Sequence, residues 1–470
     1  MNDSSKPRAI SIIKFAVMSV IGVFLFMVPL PHGESFNIPL GIALNWLGGH
    51  INSVQVSGFG LFVFITCLIV TISLVGTAVA YLLKPDFIMK NEKLKTLFLS
   101  HPVYLVSKII AVALAWMFFF NVGPDWIIGW EGAQVMLDSS DGLITSNGGL
   151  IAIFLVIGLA IPILTDFGLM EFLGILIRKF VRALFTLPGR SSIDLFGSWF
   201  SSSAAGVIIT RDQHEKGFYT HREAAAICVN FTLVSLPFTF VVANTLGLGG
   251  HFAIFYLVIC VVAILLAIVM PRIWPLSRIK DEYLPEVGKQ INEEVPSSSS
   301  AFGWAINEAG NRAKQTGPVS VVKAGLSNWL NIFMDLIPVI LAWGTLAIIV
   351  NEQTPIFRWL SWPFAQYLQL LRVEEAAYHA PAVIVGFVDM FVPAMLLRGA
   401  VDGVFTVPIN TRFILGALSI VQIIYLAETG ILILKSKIPL NIGHLAIIFL
   451  MRTVFALPII VLLTRLLFNP

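Results

Sequence analysis

Apolar residues run along this chain in long blocks, and the blocks long enough to cross a bilayer lie at 15–31, 57–83, 102–122, 149–176, 222–246, 251–271, 327–350, 411–434 and 443–467. These read as nine full transmembrane spans. Two further apolar segments, Gly189 to Asp212 and Glu374 to Gly399, are broken in the middle, the first by SSSAAG and the second by GFVD. Each leg holds about 10 residues, half the length of a crossing helix, so each segment is predicted to reach the midplane and turn back. Backbone that leaves the helix at that depth must line a cavity or be buried in protein, and paired interruptions in the two halves of a chain point to a transporter's substrate site.

Composition gives the same class. With 57% hydrophobic and 12% charged residues and a mean hydropathy of +0.87, a chain of 470 residues has too little polar surface to cover a soluble fold. The net charge of +3 carries no nucleic-acid signal. Cys67, Cys228 and Cys260 all lie in apolar runs and read as small core residues, neither disulfides nor metal ligands. The first apolar run is followed by no small-residue cleavage site and reads as a retained helix.

Lys and Arg cluster at Lys6 to Lys14, Lys84 to Lys108, Arg178 to Arg222 and Arg272 to Lys323. Under the positive-inside rule the N-terminus is cytoplasmic, the loops near Trp46, Trp126 and Gly249 face out, and the first hairpin enters from the cytoplasm. The second hairpin then enters from outside, although its flanking Arg372 and Arg398 run against the rule. This arrangement is an inverted repeat. IPIL at Ile161 recurs as IPVI at Ile337, and each repeat has the order span, amphipathic segment, hairpin, span. The amphipathic segments, RKFVRALFTLP from Arg178 and FRWLSWPFAQYLQLLR from Phe357, suit a membrane interface.

The expected organisation is three N-terminal helices over 1–148, repeat A over 149–271 with hairpin 189–212, a cytoplasmic linker over 272–326, repeat B over 327–435 with hairpin 374–399, and a C-terminal transmembrane helix over 436–470. The linker opens with SRIKDEYLPEVGKQINEEVPSSSS and reads mainly as a solvated tether; its second part, AFGWAINEAGNRAKQ, has helical spacing.

Polar groups at membrane depth carry the candidate chemistry, because burying them is costly. In repeat A these are Ser201, Ser202 and Ser203 at the hairpin tip, and Asn230, Thr232 and Ser235 ahead of Pro237, which removes a backbone donor and favours unwinding. Repeat B supplies Asp389 at its hairpin tip, with Gln422, Glu428 and Thr429 in the span that follows. Ser201, Ser202, Ser203, Asn230, Asp389, Gln422, Glu428 and Thr429 are the candidate substrate contacts. Asn230, Thr232, Ser235 and Glu428 are the candidates for a coupling ion, Na+ or H+, because freed carbonyls and hydroxyls suit a hard monovalent cation. Close packing of the serines and an interhelical hydrogen bond at Asn230 are the competing structural readings. Asp166 and Glu171 are further candidates for the site, with interfacial pairing to Arg178 or Lys179 an equal reading for Glu171, and Lys108 and Arg452 are expected to act as scaffold ion-pair partners or snorkelling residues. No cofactor and no metal site are expected.

The run TDFGLMEFLGILIRKFVRALFTLPGRSSIDLFGSWFSSSAAGV, followed by GFYTHREAAAICVNFTLVSL, resembles the bacterial nucleoside-recognition or gate-domain membrane proteins of the YjiH type. The later TRFILGALSIVQIIYLAETGILILKSKIPL resembles a second gate unit, so the likeness covers about 140 to 445. It implies a fold similar to the core of concentrative nucleoside transporters, in which two hairpins and two broken helices surround the substrate. The fold class is therefore an all-α polytopic membrane protein with inverted repeats, each holding a re-entrant helical hairpin and a broken transmembrane helix. Where those transporters place a Gln and a Glu at the first hairpin tip, this chain has serines and alanines.

The chain lacks H-E-x-x-H, G-x-S-x-G and a Walker A lysine motif, which argues against an enzyme. The functional expectation is a proton- or sodium-coupled secondary transporter for a small hydrophilic solute, nucleoside-like, an amino acid or an organic cation. The alternative is a gate or assembly component of a membrane complex without independent transport. The expected surroundings are a bacterial inner membrane, a small-molecule substrate and the lipid bilayer, with no nucleic acid and with homo-oligomerisation left open.

Overall fold

The computed structural model describes residues 9–28, 61–90, 102–124, 158–192, 203–289 and 300–468, apart from a few positions inside those ranges, together with short pieces between them. Ser201 and Ser202 lie outside the described residues, as does most of the first leg of the first hairpin. The fold is almost entirely helical. Three two-stranded antiparallel pairings, such as Leu30–His32 with Ser35–Asn37, close short turns.

Helices α1 (Ala9–Met27), α2 (Leu61–Leu82) and α3 (Pro102–Phe120) form the N-terminal part. They are apolar around most of their circumference, as helices that contact lipid and protein must be. Between α2 and α3 the fully buried Lys108 donates to Thr77 Oγ1 at 2.9 Å, so its ammonium stays inside the helix contact and does not snorkel. This part is tied to repeat B, where Trp343 Nε1 donates to Ser107 Oγ at 2.8 Å and Ser73 Oγ donates to the Met334 carbonyl at 2.5 Å.

Repeat A contains α4 (Leu169–Phe185), α5 (Ser203–Glu215), α6 (His221–Asn230), α7 (Leu236–Thr245) and α8 (Phe252–Val269). The span expected at 222–246 is divided into α6 and α7. A capping box starts α6: Thr220 Oγ1 accepts from the Glu223 amide at 3.2 Å and Glu223 Oε2 accepts from the Thr220 amide at 2.9 Å. The helix stops at Asn230, and Pro237 keeps it from running on into α7, because it has no N–H and its ring would clash with a helical carbonyl at Leu233. Ser235 then restarts it as the N-cap of α7, its Oγ accepting from the Phe238 amide at 3.4 Å.

The second half of the linker is a packed element and no tether. Helix α9 (Ala301–Gln315) presents Ala305, Ala309, Gly310 and Ala313 as its buried face and packs against α4 and α1. Small side chains let the backbones approach, and at Gly168, with φ +99°, a Cβ would stand 2.5 Å from the Ala309 carbonyl oxygen. Only glycine fits there. Glu171 pairs with Arg312 of α9 at 3.6 Å, in place of the expected partners, and the Arg178 guanidinium lies 5.0 Å from the Trp304 ring centroid. Pairing across the α4–α9 contact wins because α9 brings its basic last turn over the first turn of α4.

Repeat B begins with α10 (Pro318–Asn331), passes through a π-helical turn at Ile340–Gly344 and continues as α11 (Thr345–Gln353) and the amphipathic α12 (Ile356–Leu370). Trp359 and Trp362 are exposed on α12, as residues of a membrane interface are. The second hairpin consists of α13 (Ala376–His379), α14 (Pro381–Val385) and α15 (Val392–Arg398), with α14 packed on α15 across the turn at 386–391. The span expected at 411–434 is also divided. Helix α16 (Ile409–Gln422) ends at Ile423, whose φ is +63°, and a π-helical turn at Leu426–Gly430 leads into α17 (Ile431–Leu434). Helix α18 (Ile442–Leu467) closes the chain.

Among the described residues, four helical runs are long and apolar enough to cross a membrane: Ala9–Phe26, Phe64–Leu82, Gly249–Arg278 and Ile442–Leu467. The broken helix expected in each repeat is seen within 222–246 and 411–434, and residues 149–155 of the span expected at 149–176 lie outside the described residues. The midplane segments of 222–246, 327–350 and 411–434 are assembled from shorter pieces, since unwound or π-helical backbone is tolerated where neighbouring protein satisfies it. The chain is an all-α, multi-pass membrane protein with a broken helix in each half and, in the second half, a helical hairpin over Pro381–Val385 and Val392–Arg398.

Candidate functional site

Both helix breaks fall directly after a side-chain amide, Asn230 at the end of α6 and Gln422 at the end of α16. A helix that stops in the membrane leaves its last carbonyls without intrahelical donors, and none can be left bare there. In α6 these acceptors are satisfied one by one. The Ala226 carbonyl accepts from Asn230 Nδ2 at 2.9 Å, Ile227 from the Phe231 amide at 2.9 Å, and Cys228 from Thr232 Oγ1 at 2.6 Å. The Val229 carbonyl accepts from Arg452 Nη1 at 3.1 Å.

Arg452 comes from α18, in the middle of a run that reads as plain membrane helix. Its side chain is fully buried and reaches both breaks at once. Nε and Nη2 donate to the Val421 carbonyl at 3.0 and 2.6 Å, and Nη1 donates to Asn230 Oδ1 at 2.8 Å as well as to Val229. No carboxylate among the described residues forms an ion pair with it. The expectation of a scaffold ion pair or a snorkelling residue is thus corrected. Two helix C-termini, each with partial negative charge, surround the guanidinium, so it has no need to reach the interface. The next residue, Thr453, serves the other amide: Gln422 Nε2 donates to Thr453 Oγ1 at 2.8 Å and to the Val383 carbonyl at 3.2 Å. Gln422 Oε1 is buried against Gly386 at the hairpin turn and meets no hydrogen-bond donor among the described residues.

The hairpins meet the breaks. Ser203, at the start of α5, is hydrogen-bonded through its hydroxyl to that of Tyr425 in the repeat B break. The Leu426 amide donates to the Phe387 carbonyl in the second hairpin turn at 2.9 Å. Phe391, at the other end of that turn, packs edge to face on Phe238 of α7 with centroids 5.7 Å apart. Four elements distant in sequence are thereby linked: the start of α5, the turn of the second hairpin, the repeat B break and α7.

The expected site residues divide by what holds them. Asn230, Gln422 and Ser203 link separate elements. Thr232 and Ser235 act within repeat A, on the Cys228 carbonyl and as the α7 cap. Thr429 Oγ1 contacts the Ile423 carbonyl at 3.2 Å and the Tyr425 carbonyl at 3.1 Å, bracing the unwound turn. Asp389 is buried, and its Oδ1 accepts from the amides of Phe391 at 2.8 Å and Val392 at 3.3 Å, which caps α15. Glu428 has its backbone in the π-helical turn, while its side chain lies outside the described residues.

Arg452, Tyr425 and Thr453 are the members of this cluster that sequence reasoning did not select. An arginine in the apolar run 442–467 was the available signal, since charge at that depth needs a partner of stated identity.

The gate family, described as nucleoside recognition, matches residues 149–249, which hold the first hairpin and the α6–α7 break. An uncharacterized protein of Alkalihalophilus pseudofirmus (strain OF4) is 41% identical over 460 residues, covering 97% of this chain and 95% of that protein. Two solved structures of CNTnw are similar to the chain, one in an intermediate 2 state at 13% identity and one in an outward-facing state at 14% identity. Their TM-scores are 0.41 and 0.37, over 96% and 97% of this chain and 97% of each of those chains. The chain therefore belongs to the same family as the Alkalihalophilus protein, with which it shares nearly its whole length, and it carries a gate (nucleoside recognition) domain over 149–249.

Proposed function

We propose that the chain is a secondary active transporter for a small hydrophilic solute, driven by a proton or sodium gradient. The observation that carries this reading is the meeting of the repeat B break with elements of both hairpins, through Ser203 to Tyr425 and Phe387 to Leu426, and its link to the repeat A break through Arg452. Interrupted helices of this kind recur where a transporter holds a polar ligand, and their unwound segments can exchange partners without breaking whole helices. Asn230, Gln422 and Ser203 present amide and hydroxyl groups suited to a neutral polar solute, and Asp389 and Glu428 offer carboxylates for a cationic one. The gate module over 149–249 supports a nucleoside as the first compound to try.

The test is uptake by the purified chain in proteoliposomes, across a panel of nucleosides, amino acids and organic cations, together with ligand-dependent thermal stabilisation. Uptake of one class, blocked by its unlabelled analogue, supports the reading. Neither uptake nor stabilisation by any compound would favour a gate component that works only within a larger complex.

A further inference from the structure

One oxygen that sequence reasoning reserves for a coupling ion, Asn230 Oδ1, already faces a cation that belongs to the chain, together with carbonyls from both helix breaks. Where two half-helices end at membrane depth, their last carbonyls and nearby amide oxygens form an acceptor cluster of the sort that binds an alkali ion. Here the Val229 carbonyl, the Val421 carbonyl and Asn230 Oδ1 all accept from Arg452. The other α6 carbonyls of that last turn are taken by Asn230, Phe231 and Thr232. The guanidinium supplies the positive charge that two helix C-termini attract, and its planar fork donates to both at once.

We propose that Arg452 is a tethered cation that takes the place of an exchangeable metal ion between the two helix breaks, so that this site binds no sodium and the protein works without a sodium gradient. The consequence for coupling rests on the transport reading above; the occupancy of the acceptor cluster does not. Sodium-free operation leaves the proton as the gradient to exploit. The arginine in turn links α18 to both breaks, and any movement of α6 against α16 must reorganise its hydrogen bonds.

The test is the thermal unfolding of the full purified chain in sodium chloride and in choline chloride at equal ionic strength. The wild-type melting temperature is expected to be the same in both salts. Arg452→Ala empties the cluster; its melting temperature is expected to fall, and methylguanidinium or sodium, but not choline, is expected to recover part of the loss. Should Arg452→Ala fail to fold, Arg452→Lys keeps the charge and is expected to remain indifferent to sodium. A sodium-specific rise in the wild-type melting temperature that disappears in Asn230→Ala would place an exchangeable ion at the break and overturn the proposal. Uptake, once a substrate is found, is expected to proceed at equal rates in the two salts, and a strict sodium requirement would likewise overturn it. A complete lack of uptake would sink the transport reading while leaving the ion-binding result to stand.

Discussion

Asn230 Oδ1 accepts from Arg452 Nη1 at 2.8 Å across 222 residues of sequence, and through this bond the end of α6 is held to the helix that also holds the end of α16. A buried hydrogen bond to a charged group contributes about 1.5–3 kcal/mol, and each side chain is bonded elsewhere too, so single substitutions report more than this contact. The double-mutant cycle of Asn230→Ala with Arg452→Met isolates it. The expected coupling is about 2 kcal/mol, read from denaturant unfolding in detergent. Thr453→Val removes the neighbouring bond to Gln422 and is expected to be additive with Asn230→Ala. A coupling near zero in the first cycle would mean that the two breaks are not linked through Arg452.

Gly168 offers a separate handle on the linker. Its φ of +99° disfavours any other residue by about 1–2 kcal/mol, and an added Cβ would meet the Ala309 backbone at 2.5 Å. Gly168→Ala is therefore expected to displace α9, seen as faster proteolysis around residues 300–316. Glu171→Gln removes only a half-exposed ion pair, with side-chain exposures of 32% and 46%, and is expected to cost less than about 1 kcal/mol. Equal protection of both variants would show that α9 docking does not depend on this close approach.

The difference between these two sites explains what the sequence discloses and what it hides. Pro237, with the Thr232 and Ser235 hydroxyls before it, marks the α6–α7 break locally, because a missing donor and a ready cap are properties of neighbouring residues. The second break has no proline. Its cause includes Ile423 in a left-handed conformation, braced by Thr429, which no pattern of apolar positions reveals. Arg452 appears in an otherwise uniform apolar run, and its partners at Val229 and Val421 lie 223 and 31 residues away. A one-dimensional reading registers the cost of such a charge but cannot identify the carbonyls that meet it. Glu171 is the same case: the helical neighbours Arg178 and Lys179 are legible partners, and Arg312 becomes one only after α9 docks.

His214 lies just beyond the first hairpin, outside the spanning segments, and its Nε2 is 3.0 Å from His221 Nδ1. Burial, then the neighbouring His221 and Lys437, lowers its pKa from 6.5 to about 4. Lys437 is itself paired with Glu286 at 3.2 Å, and the His221 amide donates to the Glu282 carbonyl. In the unfolded chain His214 takes up its proton near pH 6.5, whereas the folded chain resists until about pH 4. The folded state is therefore fully favoured above pH 7 and loses stability as the pH falls through that window. His214→Gln keeps a polar side chain without the titration and is expected to flatten the melting temperature between pH 7 and 4.5. An unchanged slope would assign the acid sensitivity to other groups.

The two carboxylates of repeat B are expected to separate by function. Asp389 Oδ1 caps α15, and Asn keeps that acceptor, so Asp389→Asn should preserve the melting temperature while Asp389→Ala loses about 1 kcal/mol. If the negative charge also contacts a solute, Asp389→Asn weakens binding mildly and leaves coupling intact. The backbone of Glu428 belongs to a π-helical turn just past the break, a conformation that recurs at functional sites. A carboxyl at that depth is costly when charged and is suited to binding and releasing a proton. With Arg452 filling the acceptor cluster between the breaks, Glu428 is the foremost remaining candidate to carry the coupling charge. Glu428→Gln preserves size and hydrogen bonding, so it should fold normally, retain solute exchange between equilibrated compartments and lose uptake driven by a pH gradient. The measurement is paired exchange and gradient-driven uptake in the same proteoliposomes. Normal gradient-driven uptake by Glu428→Gln, with unchanged pH dependence, would make this carboxylate structural and move the search for the proton carrier to other groups.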